Sequence, residues 1–308
     1  MTLEVNVRHI SLLLVTLFMT ACSAVDIVDS REQSALQKAG FEQSQLSLHE
    51  GGELNYWQAG EGKTVLLIHG FGGTAVTSWQ QVMLELSQDY RVIAPDLAWF
   101  GQSVSNGKPS LATQSQAIMQ LIDSLDLDKV NVVGISYGGF VTFDLMINEP
   151  KVDKAVLLAS PGVLFSDNAL LQMNQRFEVD DPSDIFVPET PKQMRRLLDA
   201  TFVDFPWYPG FIDARIFDKY FADYLDEKRQ LIEGLPADRD RIAANISVDS
   251  LPPSVLIWGE NDKVFPLSSG IQLADYLTAP IVVIPQGAHG ISNDYPEIIS
   301  QTIRAFVQ

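Results

Sequence analysis

The sequence predicts an α/β domain, a mostly parallel central sheet flanked by helices and interrupted once by a helical insert. Three observations carry this reading. Short apolar runs alternate with helix-like stretches from about residue 43 onwards. Those runs are continuous, as in strands buried on both faces. Between residues 162 and 246 the alternation stops and large side chains accumulate. The core is therefore expected over 41–161 and 247–308, with a cap over 162–246.

Taken in order, Arg8 and His9 precede the apolar stretch Ile10 to Met19, ISLLLVTLFM. It is too short to cross a hydrocarbon core of about 30 Å, which takes a helix of about 20 residues. It reads as the core of a signal peptide over residues 1–21. The stretch ends in Met19-Thr20-Ala21-Cys22-Ser23, which resembles a bacterial lipobox. That resemblance implies that Cys22 becomes a lipidated N-terminus, and Ser23 after it resembles lipoproteins sent to the outer membrane. Ordinary cleavage after Ala24 is the alternative, giving a periplasmic or secreted protein. Cys22 is the only cysteine, so no disulfide is expected.

Residues 22–40 read as a polar linker leading into a short helix at Ser34 to Lys38, stopped by Gly40. Leu46 to His49 and Leu54 to Gln58, around Glu50-Gly51-Gly52, suggest a hairpin. The buried strands are expected at Val65 to Ile68, Val92 to Ala94, Val130 to Val133, Ala155 to Leu158, Val255 to Trp258 and Ile281 to Ile284. Leu111 to Leu125 is the clearest helix, with Ile118, Leu121, Ile122 and Leu125 at helical spacing and Ser110 or Thr113 as its cap. The insert carries Phe165, Phe177, Phe186, Phe202, Phe205, Trp207 and further aromatics. These residues form the insert's own core, an apolar ceiling over a pocket, or both.

With 21 basic and 39 acidic residues the net charge is −18, which repels phosphate backbones and argues against nucleic acid as a partner. The chemistry starts at Gly134-Ile135-Ser136-Tyr137-Gly138, directly after a strand and before the helix expected at Phe140 to Ile147. Glycines there remove the Cβ atoms that would collide as strand and helix close, so the hydroxyl stands clear. A serine nucleophile needs a base, and the base needs an orienting acid. Of four histidines, only His289 follows a late strand. Open parallel sheets bind ligands beyond the carboxyl ends of their strands, so Ser136 and His289 can meet. Asp262 is the favoured acid, with Glu260 second. After Ala155 to Leu158 no acid comes before Asp167. The turn His69-Gly70-Phe71-Gly72-Gly73 can aim the Phe71 N–H, with that of Tyr137, at an oxyanion. His69 is read as a structural group holding that loop.

On HGFGG (His69 to Gly73), GISYGG (Gly134 to Gly139), WGENDKVFP (Trp258 to Pro266) and GAHG (Gly287 to Gly290), the chain resembles α/β-hydrolase-fold esterases and lipases over about residues 41–308. The order Ser136, Asp262, His289 matches that family's triads. Pro95 to Ser103 resembles its D-x-x-G-x-G-x-S stretch, with Trp99 where the first glycine stands and Asp96 structural. The resemblance implies carboxylic ester hydrolysis through an acyl-enzyme, on a small-molecule or lipid ester. It calls for no cofactor, and no metal-ligand cluster accompanies His289 or His69. Ser136 excludes the aspartate-nucleophile dehalogenases and epoxide hydrolases. C–C bond hydrolases of ring-cleavage products are also similar, but carry asparagine before the serine and tryptophan after the histidine, where this chain has Ile135 and Gly290. Arg195 and Arg196 in the insert could bind an acidic substrate of that kind, the alternative being an exposed basic helix face. Haloperoxidase-like and aminopeptidase-like relatives are further readings, and a binding protein that keeps the fold without turnover is one of a different class.

Overall fold

A computed structural model describes residues 25–205 and 207–308. The predicted signal peptide and Cys22 lie outside the described residues. Their neighbour α1, a helix over residues 25–38, replaces the expected linker and short helix with one continuous element. Val25 and Leu36 are buried at its two ends, and Asp26 and Asp29 pair with a cap helix. A polar composition reads as linker when its partners are far away in sequence.

The hairpin forms from β1 (Glu42–Ser47) and β2 (Gly52–Ala59), with Leu46 opposite Leu54. There follow β3 (Thr64–Ile68), α2 (Ala75–Leu86), β4 (Arg91–Pro95), β5 (Val104–Ser105), α3 (Leu111–Ser124), β6 (Val130–Ile135), α4 (Tyr137–Asn148) and β7 (Val152–Leu158). Helices α5 (Asp167–Phe177), α6 (Ser183–Phe186), α7 (Pro191–Thr201), α8 (Gly210–Tyr220) and α9 (Leu225–Asn245) make up the insert. The chain closes with β8 (Ser254–Gly259), α10 (Leu267–Leu277), β9 (Ile281–Ile284), α11 (Ile291–Asp294) and α12 (Pro296–Val307). Two-residue β5 has no apolar run to announce it.

The nine-stranded sheet runs β1-β2-β4-β3-β6-β7-β8-β9, with β5 beside β2. Pairings from β4 through β3 to β9 are parallel, and those of β2 are antiparallel. Strand periodicity of two splits the apolar residues between two cores. Leu66, Ile68, Val132, Leu157 and Trp258 join α3, α4, α9 and α10 on one face. Val65, Leu67, Val133, Val156 and Ile257 join α1, α2 and α12 on the other. β9 departs from the expectation of two buried faces, because it ends the sheet and leaves Val283 39% exposed.

Local signals set the ends of the helices nearest the site. Thr74 and Thr77 form a reciprocal capping box at the start of α2, and Ser110 caps α3. α4 starts at Tyr137 rather than Phe140, immediately after Ser136, because two glycines let helix and strand meet there. A Cβ on Gly138 would overlap the carbonyl oxygens of Ile68 and His69.

Candidate active site

Ser136 stands between β6 and α4 with φ 54° and ψ −121°, conformational strain that non-glycine residues hold only when their surroundings impose it. The surroundings here are the Ser136 N–H bonded to the Leu158 carbonyl and the Gly139 N–H bonded to the Ser136 carbonyl, at 2.8 and 2.9 Å. The turn aims the hydroxyl at His289, whose Nε2 lies 2.8 Å from Ser136 Oγ. His289 Nδ1 lies 2.8 Å from Asp262 Oδ2. The second oxygen, Asp262 Oδ1, accepts the N–H groups of Val264 and Phe265, both at 2.8 Å. With Nδ1–H donating to the carboxylate, Nε2 is left unprotonated and able to take the serine proton.

The loops that carry acid and base are tied together before either side chain is considered. Glu260 N–H donates to the Ile284 carbonyl and Asn261 N–H to the Gly287 carbonyl, at 3.0 and 2.8 Å. Trp258 Nε1–H donates to the Phe265 carbonyl at 2.8 Å, closing the turn around Asp262. Glu260, the second choice of acid, points away and accepts from Gln286 N–H. Asp167 pairs instead with Arg239 in the cap.

Phe71 and Tyr137 both border the space in front of Ser136, their rings edge-on at 5.4 Å. Tyr137 is the first residue of α4, where helix N–H groups have no partner within the helix. His69 has both ring nitrogens occupied: Nδ1 bonds to the Gly70 carbonyl and Nε2 accepts the Leu97 N–H, each at 2.8 Å. Burial lowers its pKa against the pull of Asp96, so it stays neutral. It braces the turn. Asp96 is similarly committed, accepting from Asn55 Nδ2 and from the N–H groups of Ala75 and Gln102. Trp99 is buried at φ 68°, the left-handed conformation that the glycine of the resembled motif would adopt without cost.

Two cavities meet at Ser136 and share Phe71 and Phe186. The larger, about 270 Å³, also touches Leu197, Phe202, Tyr220 and Phe221 from the cap. Its polar lining consists of hydroxyl and amide groups such as Thr77, Ser292 and Asn293, together with Ser136 and His289. The smaller is an apolar crevice among Phe140, Phe165, Met173 and Leu235. Among the described residues no Asp, Glu, Lys or Arg lines either space. Arg195 lies 4.5 and 5.2 Å from the ring centroids of Tyr208 and Phe205 and pairs with Asp213, so it belongs to the cap's own packing rather than to an exposed basic face. Arg196 is exposed on the outer surface.

Gly290, after the base, donates its N–H to the Thr201 carbonyl at the end of α7. A Cβ there would come within 2.8 Å of the Phe202 ring. Cap and base loop are thus in direct contact through residues that sequence reasoning missed in the case of Thr201, whose contribution is a backbone carbonyl. Buried Lys228 on α9 was missed too; its Nζ lies 5.2 Å from the Phe100 ring centroid. Nothing in its sequence neighbourhood marks it.

Residues 63–294 match the model of the alpha/beta hydrolase fold. The chain belongs to this family. A 2-hydroxymuconate semialdehyde hydrolase from Pseudomonas putida is 30% identical over 282 residues, covering 84% of this chain and 92% of the relative. Among solved structures, a membrane phospholipase A described as a bacterial virulence factor superposes with a TM-score of 0.78 at 24% identity, over 98% of this chain and 96% of its own. An esterase from Exiguobacterium antarcticum superposes with a TM-score of 0.71 at 17% identity, over 86% of this chain and 99% of its own. The chain carries its nucleophile candidate where the central strand β6 turns into α4. Among the described residues no cluster of His, Cys, Asp or Glu could hold a metal ion, and no helix is long and apolar enough to cross a membrane.

Proposed function

We propose that this α/β-hydrolase is a serine hydrolase that cleaves carboxylic esters bearing an apolar acyl chain, as esterases and lipases do. The observation that carries the reading is a cavity in front of a Ser–His–Asp array whose lining holds no charged side chain among the described residues. Ser136 Oγ attacks the ester carbonyl as His289 Nε2 takes its proton; the C–O bond to the alcohol breaks as His289 returns that proton to the leaving oxygen. Water, activated by the same nitrogen, then releases the acid from Ser136. The N–H groups of Phe71 and Tyr137 stabilise the two tetrahedral oxyanions, one such donor contributing about 2.7–4 kcal/mol. Asp262 holds the imidazole tautomer and balances the imidazolium charge.

A second reading, C–C bond hydrolysis of ring-cleavage products, is favoured by the 30% identity to a hydrolase named for a muconate semialdehyde. A muconate carries a carboxylate, and Arg195, one residue that could receive it, is committed to Asp213 and two aromatic rings. The position taken by tryptophan in the resembled C–C hydrolases is Gly290 here, with Phe202 packed against it. Both features weigh towards a neutral ester. We further propose export, with Cys22 as a lipid anchor in the outer membrane of a Gram-negative-type bacterium; signal cleavage without lipidation would leave the enzyme periplasmic or secreted.

Residues 25–308 assayed on p-nitrophenyl esters from C2 to C16 and on a 2-hydroxy-6-oxo-dienoate separate the readings. Ester turnover that is lost in Ser136→Ala, with dienoate cleavage absent, is the expected result. Preferred cleavage of the dienoate would replace the ester reading with the C–C one.

A further inference from the structure

We infer that the segment between α7 and α8 is a membrane-docking surface that seats the cavity mouth on an uncharged, zwitterionic lipid surface. The inference rests on the cap's geometry and on the proposed lipid anchor at Cys22, and does not depend on ester turnover. Trp207 is 84% exposed and Val203 52% exposed, in a segment that also carries exposed Asp204 and the ring contacts of Phe202, Phe205 and Tyr208. Phe202 and Phe205 line the cavity and stack at 5.4 Å, and Phe205 meets Tyr208 at 5.8 Å. An aromatic strip therefore runs from the cavity in front of Ser136 to Tyr208, the residue next in the chain to the exposed indole. The segment is braced, with Arg195 covering Phe205 and Tyr208 and the Val203 N–H donating to Asp294. An exposed indole is favoured at the headgroup level of a bilayer, where its apolar ring is buried and its N–H stays wet.

The position of the chain's N-terminal segment points to a lipid surface as the occupant. Asp26 and Asp29 of α1 both pair with Lys219 at 2.9 Å, and Asp26 lies 3.5 Å from Arg215. These two cations sit on α8, the helix that the docking segment enters, and Ile216 and Tyr220 of the same helix line the cavity. Cys22 precedes Asp26 by four residues, a reach of at most about 14 Å. Along α8, Lys219 stands nine residues from Gly210, a rise of about 14 Å. Residue 22 is therefore separated by only that short reach from Asp26, whose carboxylate pairs with α8, the helix that follows the segment bearing the exposed indole. The net charge of −18 sets the lipid class, since it opposes any anionic surface and leaves apolar insertion as the binding force.

Trp57, Trp79, Trp99 and Trp258 are buried, so among the five tryptophans only Trp207 meets water. The full chain, purified in detergent and reconstituted with phosphatidylcholine vesicles, gives a direct test through the fluorescence difference between wild type and Trp207→Phe. On vesicles the Trp207 component should lose acrylamide quenching several-fold and be quenched by lipids brominated near the headgroup. Equal acrylamide access with and without vesicles overturns the inference. So does shielding that rises with protein concentration alone, which would mark a second copy as the occupant. Shielding that needs phosphatidylglycerol would overturn the neutral-surface assignment.

Discussion

Ser136, Gly290 and Phe202 are the single positions on which the proposed choice between ester and C–C hydrolysis turns. The strained turn at Ser136 is held by backbone bonds to Leu158 and Gly139, while the position after His289 is defined by an absence, the missing Cβ of Gly290. Gly290→Trp should drive Phe202 out of its site and cost about 1–3 kcal/mol, the range for overpacking a close-packed interior. Adding Phe202→Ala should recover much of that loss. Urea midpoints of the three variants check it, and equal midpoints for Gly290→Trp and wild type would show that the cap yields freely. At this scale the meeting of Ser136, His289 and Asp262 was legible because each follows a strand whose apolar run marks it. Phe202 was legible only as one aromatic among many, because its role depends on which helix end meets residue 290. Trp99 stands where the resembled motif has glycine and holds φ 68°, a left-handed backbone that no sequence pattern shows.

At the element scale, the sheet was legible from continuous apolar runs, and α3 from its spacing and its Ser110 cap. α1 was not, since its order comes from ion pairs with α8 about 190 residues away in sequence and from one buried leucine. β9 was over-read as buried because an apolar run does not say whether a strand ends the sheet. α9 packs on α3 and α4 and carries a proline, Pro236, whose ring borders the apolar crevice. The same helix brings Lys228 into the interior, its ammonium donating to the Asp223 carbonyl above Phe100. Burial lowers its pKa from 10.5 to about 8. Between those values the unfolded chain binds the proton and the folded one does not, so Lys228 adds to stability as pH rises from about 8 to about 10.5. Below about 8 both states hold the proton and the full cost of burying the charge remains, of order 3 kcal/mol. Lys228→Met should therefore be more stable than wild type at pH 7.5, with the advantage shrinking towards pH 10.5. Urea unfolding of both proteins at a series of pH values measures the gap, and a constant gap would contradict the assignment.

For the whole molecule, the parallel sheet collects Ser136, Asp262 and His289 at one edge, and the cap closes over that edge with an apolar ceiling. Composition argued against nucleic acid through charge alone, whereas the uncharged character of the cavity required coordinates, because the cap's charged side chains among the described residues all lie elsewhere. Arg195 is the instructive case: the sequence allowed it as a substrate ligand, and tertiary packing commits it to Asp213 and two rings. The central claim is that Ser136 carries the acyl group between two half-reactions. Acid-quenching the enzyme during turnover of a p-nitrophenyl ester, followed by peptide mass mapping, tests it most directly. The account predicts an acyl adduct on the peptide containing Ser136, formed in a burst with p-nitrophenol and lacking in Ser136→Ala. Steady ester turnover that persists in Ser136→Ala, with no adduct on the wild-type peptide, would contradict it.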